Sequence, residues 1–210
     1  MRVLIFGDSI TQGFWDVNGG WVAILRKEYD QQKIDGVNDD PATLFNLGIS
    51  ADSSDDVVAR FKAETDARNN SDELAFVISI GVNDSRTKAG KDFSDTERYL
   101  SNLNKIHEMA KEYSDKILFV GLTPCVEERS NPVSWGDTGY TNERLKSFDD
   151  TLQKFCEDNE LPFVEVLEPF KEALKESELL PDALHPNEDG HKLISDLVKP
   201  KLGELIDEAI

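Results

Sequence analysis

Four short polar blocks in this chain hold residue types that do chemistry. They are Gly7-Asp8-Ser9, Asn46-Leu47-Gly48, Gly81-Val82-Asn83-Asp84 and Asp182-Ala183-Leu184-His185-Pro186. A serine hydroxyl is a poor nucleophile until a base takes its proton. Of the three histidines, His185 lies three residues after Asp182, just before a proline that can open a helix. A short Asp-x-x-His loop can bring the carboxylate to the second imidazole nitrogen, fixing the tautomer and supporting the imidazolium as it forms. Acyl transfer also needs hydrogen-bond donors aimed at a developing oxyanion. Three are on offer: the Ser9 backbone N–H, the Gly48 backbone N–H, where a glycine permits close approach, and the Asn83 amide. Losing one such donor, Asn83 for instance, is expected to cost about 10²–10³ in turnover.

Each block also has a plainer reading. Gly-Asp-Ser is a common turn, Asn-Leu-Gly a strand terminus and Gly-Val-Asn-Asp an Asx turn. Asp-x-x-His-Pro could be a helix cap or half of a metal site. Asp8 reads better as a cap on the following turn than as a partner of the serine, and Asp84 invites the same reading. His107 falls near the apolar stripe of a mid-chain helix, and His191 in the first turns of the last one; both read as structural. What favours chemistry is the joint order, because independent turns need not recur at the ends of successive strands.

Those strands can be read from the sequence. Apolar runs at 3–6, 43–48, 74–80, 116–122 and 162–166 are short, rich in β-branched and aromatic residues, and continuous rather than alternating. That predicts buried parallel strands. Helical periodicity fills the gaps: Trp21, Ile24, Leu25 and Tyr29; then Val57, Val58 and Phe61; then Tyr99, Leu100, Leu103, Ile106 and Ala110. Leu145, Phe148, Leu152, Phe155 and Cys156 continue it, and Leu193 to Ile206 close the chain, with Pro200 predicting a kink or a split. Alternating strands and helices predict a three-layer α/β/α sandwich with right-handed crossovers. Ser9, Gly48 and Asn83 then meet at the carboxyl edge of one sheet, where open α/β folds place ligands. The irregular stretch 123–141 should lie at that edge too. Within it, Trp135 and Tyr140 either stack on a sugar, wall an acyl pocket, or seal the loop against the core.

The length, 210 residues, suits one domain spanning 1–210. With 42 acidic against 23 basic residues the formal charge is -19, which disfavours nucleic acid and anionic lipid as partners. Cys125 and Cys156 have no metal-ligand spacing; they read as reduced thiols, with one disulfide as the alternative. The first apolar run is too short for a signal peptide, and none approaches a membrane span, so a cytoplasmic protein without a membrane anchor is expected. The sequence carries no signal for oligomeric state.

The blocks FGDSITQG, NLGISADSS, GVND and DALHPNEDGH, taken together and in this order, resemble the GDSL or SGNH family of serine esterases and lipases. The resemblance spans positions 6 to 191. It implies a flavodoxin-like sandwich around a five-stranded parallel sheet. It also implies Ser9 as nucleophile, His185 as general base, Asp182 as orienting acid, and Ser9, Gly48 and Asn83 as an oxyanion hole. The second block often carries a glycine where Ala51 stands, and Ile10 replaces the leucine of the name-giving motif. The implied substrate is a small soluble ester, with no metal or cofactor required; carbohydrate deacetylation, lysophospholipid and thioester cleavage are the alternatives. From other classes, a metal-assisted phosphohydrolase would use Asp8, Asp84, Asp182 and His185, and a flavodoxin-type binding module would use none of them catalytically.

Overall fold

The computed structural model describes residues 1–206. Its main sheet has five strands: β1 (Arg2–Gly7), β2 (Thr43–Gly48), β3 (Leu74–Ser79), β6 (Ile117–Val120) and β8 (Phe163–Val164). All are parallel, in the order β2-β1-β3-β6-β8. Three two-residue strands, β4 (Thr87–Lys88), β5 (Lys91–Asp92) and β7 (Thr138–Gly139), make a small antiparallel sheet apart from it. The helices are α1 (Ser9–Gln12), α2 (Gly20–Ile34), α3 (Ser54–Asp66), α4 (Thr96–Lys111), α5 (Glu127–Ser130), α6 (Asn142–Asp158), α7 (Leu167–Leu174) and α8 (Glu188–Ile206). α2 packs with α8, while α3, α4 and α6 pack in a row, so two helical layers enclose the sheet. This is the predicted α/β sandwich.

Continuous apolar runs become the inner strands because both of their faces are covered. Val3 to Phe6, Ala75 to Ile78 and Leu118 to Phe119 are fully buried. Trp21, Leu25 and Tyr29 of α2 and Val57 and Phe61 of α3 supply the facing layers, and Phe61 stacks on Phe6 with centroids 4.6 Å apart. The edge strands depart from the predicted pattern. β2 buries Leu44 and Leu47 but exposes Thr43 and Asn46, and β8 keeps only two of the five residues assigned to it. An edge strand pairs on one side only, so less of its backbone is held.

Two further expectations are narrowed by the structure. Pro200 neither ends nor splits α8, which is one helix from Glu188 to Ile206. Val198, Leu202 and Ile206 continue one buried face across the proline, while Pro200 and Asp196 lie on the exposed side. The carbonyl that loses its donor therefore faces water. The stretch 123–141 is also not wholly irregular, since it holds α5 and β7. Elements of two to four residues leave no periodic signal.

Register sets up the carboxyl edge. Gly7 pairs with Gly48 on one side and with Ser79 on the other, so β1, β2 and β3 end at one level. The strand order reverses between β1 and β3, which is the switch point where doubly wound sheets open a crevice. No helix of the described residues is long and apolar enough to cross a membrane.

Candidate active site

β1 delivers Ser9 to the first position of α1. Asp8 caps that turn: its Oδ1 accepts the Ile10 N–H at 2.9 Å, as the cap reading predicts. Burial, only partly offset by that bond, raises the Asp8 pKa to about 6. Thr11 lies beneath Gly7, where any side chain would collide with its hydroxyl at 2.1 Å, so the strand turns into the helix without a Cβ in the way.

From the other end of the chain, the loop between α7 and α8 brings His185 onto the serine. Ser9 Oγ lies 2.9 Å from His185 Nε2. His185 Nδ1 lies 2.7 Å from Asp182 Oδ2. A carboxylate only accepts, so Nδ1 carries the proton and Nε2 accepts from the serine hydroxyl. The Asp182 turn is built for this: Oδ1 accepts the N–H groups of Leu184 at 3.0 Å and His185 at 2.7 Å. Burial works to raise the Asp182 pKa, but the His185 ring and these two N–H groups together outweigh it and hold the carboxyl at about 2. Ser9 and His185 are 5% and 7% exposed, so the pair is screened yet reachable.

Asn83 follows β3 and is held on three sides. Its Oδ1 accepts from the Tyr140 hydroxyl at 2.8 Å and from Arg86 at 3.3 Å, while its Nδ2 donates to the Asp52 carbonyl at 3.0 Å. Two donors on Oδ1 fix the amide orientation, and Nδ2 keeps a second hydrogen to offer. Burial pushes the Tyr140 pKa up to about 12, so its hydroxyl stays a donor. Asp52 is anchored in turn by Arg60, at 2.7 Å, whose guanidinium also reaches the Gly7 carbonyl at 3.1 Å.

Gly48 lies at the expected sheet edge, level with Gly7, but its N–H is engaged away from the serine. Its N–H donates to Asn46 Oδ1 at 2.9 Å, and Asn46 Nδ2 donates to the Thr11 carbonyl at 2.8 Å. A Cβ at Gly48 would fall 2.3 Å from the Gln12 nitrogen, so this glycine lets α1 lie against β2. The residues of this segment that line the open cleft are Ser50 and Ala51. Ala51 has φ 68°, a left-handed backbone, and its N–H has no hydrogen-bond partner among the described residues. The sequence signal was present, as the one departure from the family's second block, but it suggested a change of loop shape.

The cleft has a volume of about 400 Å³ and joins Ser9, Asn83, Asp182 and His185 to an aromatic wall. Trp135 is over half exposed, with its ring 6.0 Å from that of His185, whereas Tyr140 is buried with its hydroxyl on Asn83. The two residues therefore do different things. Phe14 and Trp15, which sequence reading did not single out, complete the wall, with Phe14 5.0 Å from the His185 ring. Arg86 contributes a guanidinium stacked 3.9 Å over Phe93. Nothing in the sequence marked these residues, because they precede or follow the motif positions and gain meaning only by facing them.

The remaining candidates turn away from the cleft. Asp84 is buried and caps α3, accepting the Ser54 N–H at 2.9 Å and the Ser54 hydroxyl. The four residues of the phosphohydrolase reading are thus not gathered: Asp8 and Asp84 serve backbone ends, and Asp182 and His185 face the cleft. Among the described residues no group of three or more His, Cys, Asp or Glu is placed to hold a metal ion. His191 is fully buried, with Nδ1 accepting from Trp21 N–H at 3.4 Å and Nε2 donating to the Phe14 carbonyl at 3.3 Å. Burial lowers its pKa, in keeping with a neutral structural ring. His107 packs edge-on to Phe155, away from the cleft.

Among curated proteins none matches the sequence. Solved structures do match over nearly the full chain. A member of the lipolytic protein G-D-S-L family from Veillonella parvula has 18% identity and a TM-score of 0.71, covering 94% of this chain and 96% of its own. An acetylxylan esterase from Geobacillus stearothermophilus has 19% identity and a TM-score of 0.74, covering 96% and 94%. An α/β hydrolase enzyme from the metagenome of Lake Arreo, Spain, has 21% identity and a TM-score of 0.71, covering 97% and 95%. At these identities the likeness is one of fold. The sequence itself matches the model of the GDSL-like Lipase/Acylhydrolase family over residues 5–193. The chain therefore belongs to the GDSL-like lipase/acylhydrolase family, and it is an ester-hydrolysing enzyme.

Proposed function

We propose that the enzyme cleaves short acyl esters of small soluble substrates through an acyl-enzyme on Ser9. The observation that carries this is the hydrogen-bonded chain Ser9–His185–Asp182, at 2.9 and 2.7 Å, opening on the cleft. In this reading His185 Nε2 takes the hydroxyl proton as Ser9 Oγ attacks the ester carbonyl. The collapsing intermediate receives that proton on the leaving alcohol, and His185 next activates a water to release the acid. The oxyanion is held by the Ser9 N–H, by Asn83 Nδ2 and by the Ala51 N–H, which takes the part first given to Gly48. Tyr140 acts through Asn83 by fixing its amide. The aqueous setting is the cytoplasm, which two free, buried cysteines support.

A second reading of the substrate has its own support. Trp15 and Trp135 expose their indoles at the cleft mouth, 61% and 54%, as faces on which a sugar ring stacks. The likeness to an acetylxylan esterase points the same way. The deciding experiment is an ester panel with the wild-type chain and Ser9→Ala. It pairs nitrophenyl esters of graded chain length with acetylated xylose and an acyl thioester. Ser9→Ala should lose turnover by about 10⁴ or more, and chelator should leave the wild-type rate unchanged. Turnover that survives in Ser9→Ala would remove the nucleophile assignment. Preference for acetate on xylose over butyrate on nitrophenol would make the enzyme a carbohydrate deacetylase.

A further inference from the structure

Asp182 Oδ2 has a second donor besides His185. The indole Nε1–H of Trp15 lies 2.5 Å from it, across 167 positions of sequence. Burial does not explain this placement, since Trp15 is 61% exposed. Backbone preference opposes it, because φ is 65°, a region that bulky side chains avoid. A strained, exposed aromatic persists only where its surroundings hold it. Here the neighbours do so on both sides. The Phe14 ring lies 4.7 Å from Trp15 and 5.0 Å from His185, and the Phe14 carbonyl accepts from His191. On the far side, Asp16 accepts the N–H groups of Asn18 at 2.8 Å and Gly20 at 3.0 Å, closing the loop that carries the indole.

We infer that Trp15 is a positioning residue for the acid of the relay, holding Asp182 Oδ2 against His185 Nδ1 while drawing charge from that oxygen. The inference rests on the Ser9–His185–Asp182 reading given above. Four N–H donors then meet one carboxylate: His185 Nδ1 and Trp15 on Oδ2, and the Leu184 and His185 backbones on Oδ1. Such a carboxylate orients the imidazole yet resists taking its proton, which must go on to the leaving alcohol. Because the donor stands on the cleft wall, whatever displaces the indole also alters the acid.

Trp15→Phe keeps a ring and removes the N–H. Charge on Oδ2 then concentrates, the imidazolium is favoured, and the acidic limb of the kcat/KM profile moves to higher pH. The other titratable or charged groups facing the pair are Asp8, His191 of α8, Arg86 on the cleft wall, Arg129 of α5 at the Pro181 carbonyl, and Asp16. All are unchanged by the substitution. For a short nitrophenyl ester we expect kcat to fall roughly three- to tenfold, KM to change less than about twofold, and the acidic limb to rise by about half a pH unit. Trp135→Phe also alters a ring beside His185 but touches no Asp182 oxygen, so its limb should stay in place whatever happens to KM. An unmoved limb in Trp15→Phe, or an equal shift in both variants, overturns the inference. Failure of the underlying reading shows separately, as turnover retained by Ser9→Ala. A measurement on the wild-type chain covers the case of a misfolded variant. Its Trp15 indole proton should resonate downfield of a solvent-bonded indole and titrate with the acidic limb; a solvent-like, pH-invariant signal overturns the inference too.

Discussion

Asp8 lies beside the proposed nucleophile but is bonded to its own helix turn, and its influence is on stability. Burial lifts its folded pKa to about 6, above the unfolded value of about 3.9. The folded state therefore holds the proton more tightly between those values. The stability this contributes is present below about pH 4 and is lost as pH rises through about 6. Asp84 and Asp149, each raised to about 6 by burial, act in the same direction. Asp182 acts oppositely: held at about 2, it contributes stability above about pH 4 that is lost as pH falls toward 2. Asp8→Asn removes one raised titration. Its unfolding free energy relative to wild type should improve by on the order of 3 kcal/mol between pH 4 and pH 7. Denaturant unfolding at the two pH values measures this, and a constant difference would mean that Asp8 is not desolvated. The cap itself could be read from Gly-Asp-Ser, because an N-cap is a local bond. The raised pKa could not, because burial comes from the elements packed over it.

At the scale of elements, the segment after β2 divides two duties between Gly48 and Ala51. Gly48 lets α1 lie against the strand, and Ala51 carries a left-handed backbone on the cleft wall. The two substitutions should therefore differ in sign. Gly48→Ala drives a methyl to within 2.3 Å of the Gln12 nitrogen and should cost about 2–4 kcal/mol, with activity falling as α1 is displaced. Ala51→Gly relieves a strained φ and should leave stability unchanged or raised by up to about 1 kcal/mol, with esterase turnover kept. Thermal melts and a nitrophenyl ester assay of both variants test this; loss of turnover in Ala51→Gly with a normal melt would oppose it. Helices α2, α4, α6 and α8 were legible because each keeps a 3.6-residue apolar period over more than two turns, and α3 showed a shorter one at Val57, Val58 and Phe61. α5, β4, β5 and β7 were not, because nothing repeats within four residues.

The whole molecule carries a formal charge of -19, spread along the chain without a discrete acidic tail. Surface pairs such as Lys146 with Asp150 and Lys154 with Asp158 are exposed and add little. Net repulsion among the surplus carboxylates therefore outweighs them. The melting temperature should rise by a few degrees from low salt to about 1 M NaCl, where the screening length shrinks to about 3 Å. A fall over that range would show that attractive pairs prevail. The same spread of charge left the strand signals intact, because the inner strands contain almost no polar residue. The sequence by itself determined the parallel α/β order, the three polar blocks at strand ends and the fourth in a late loop, along with the family they match. Those follow from periodicity and from residue types close together in the chain. Only the tertiary structure decided which backbone donors are free. Gly48 is spent on Asn46, and Ala51 is open to the cleft. Tyr140 and Trp135, five residues apart, line the same cleft, one buried and one exposed, and Trp15 reaches Asp182. Each of these depends on what lies across the site, and that is set by how distant segments pack.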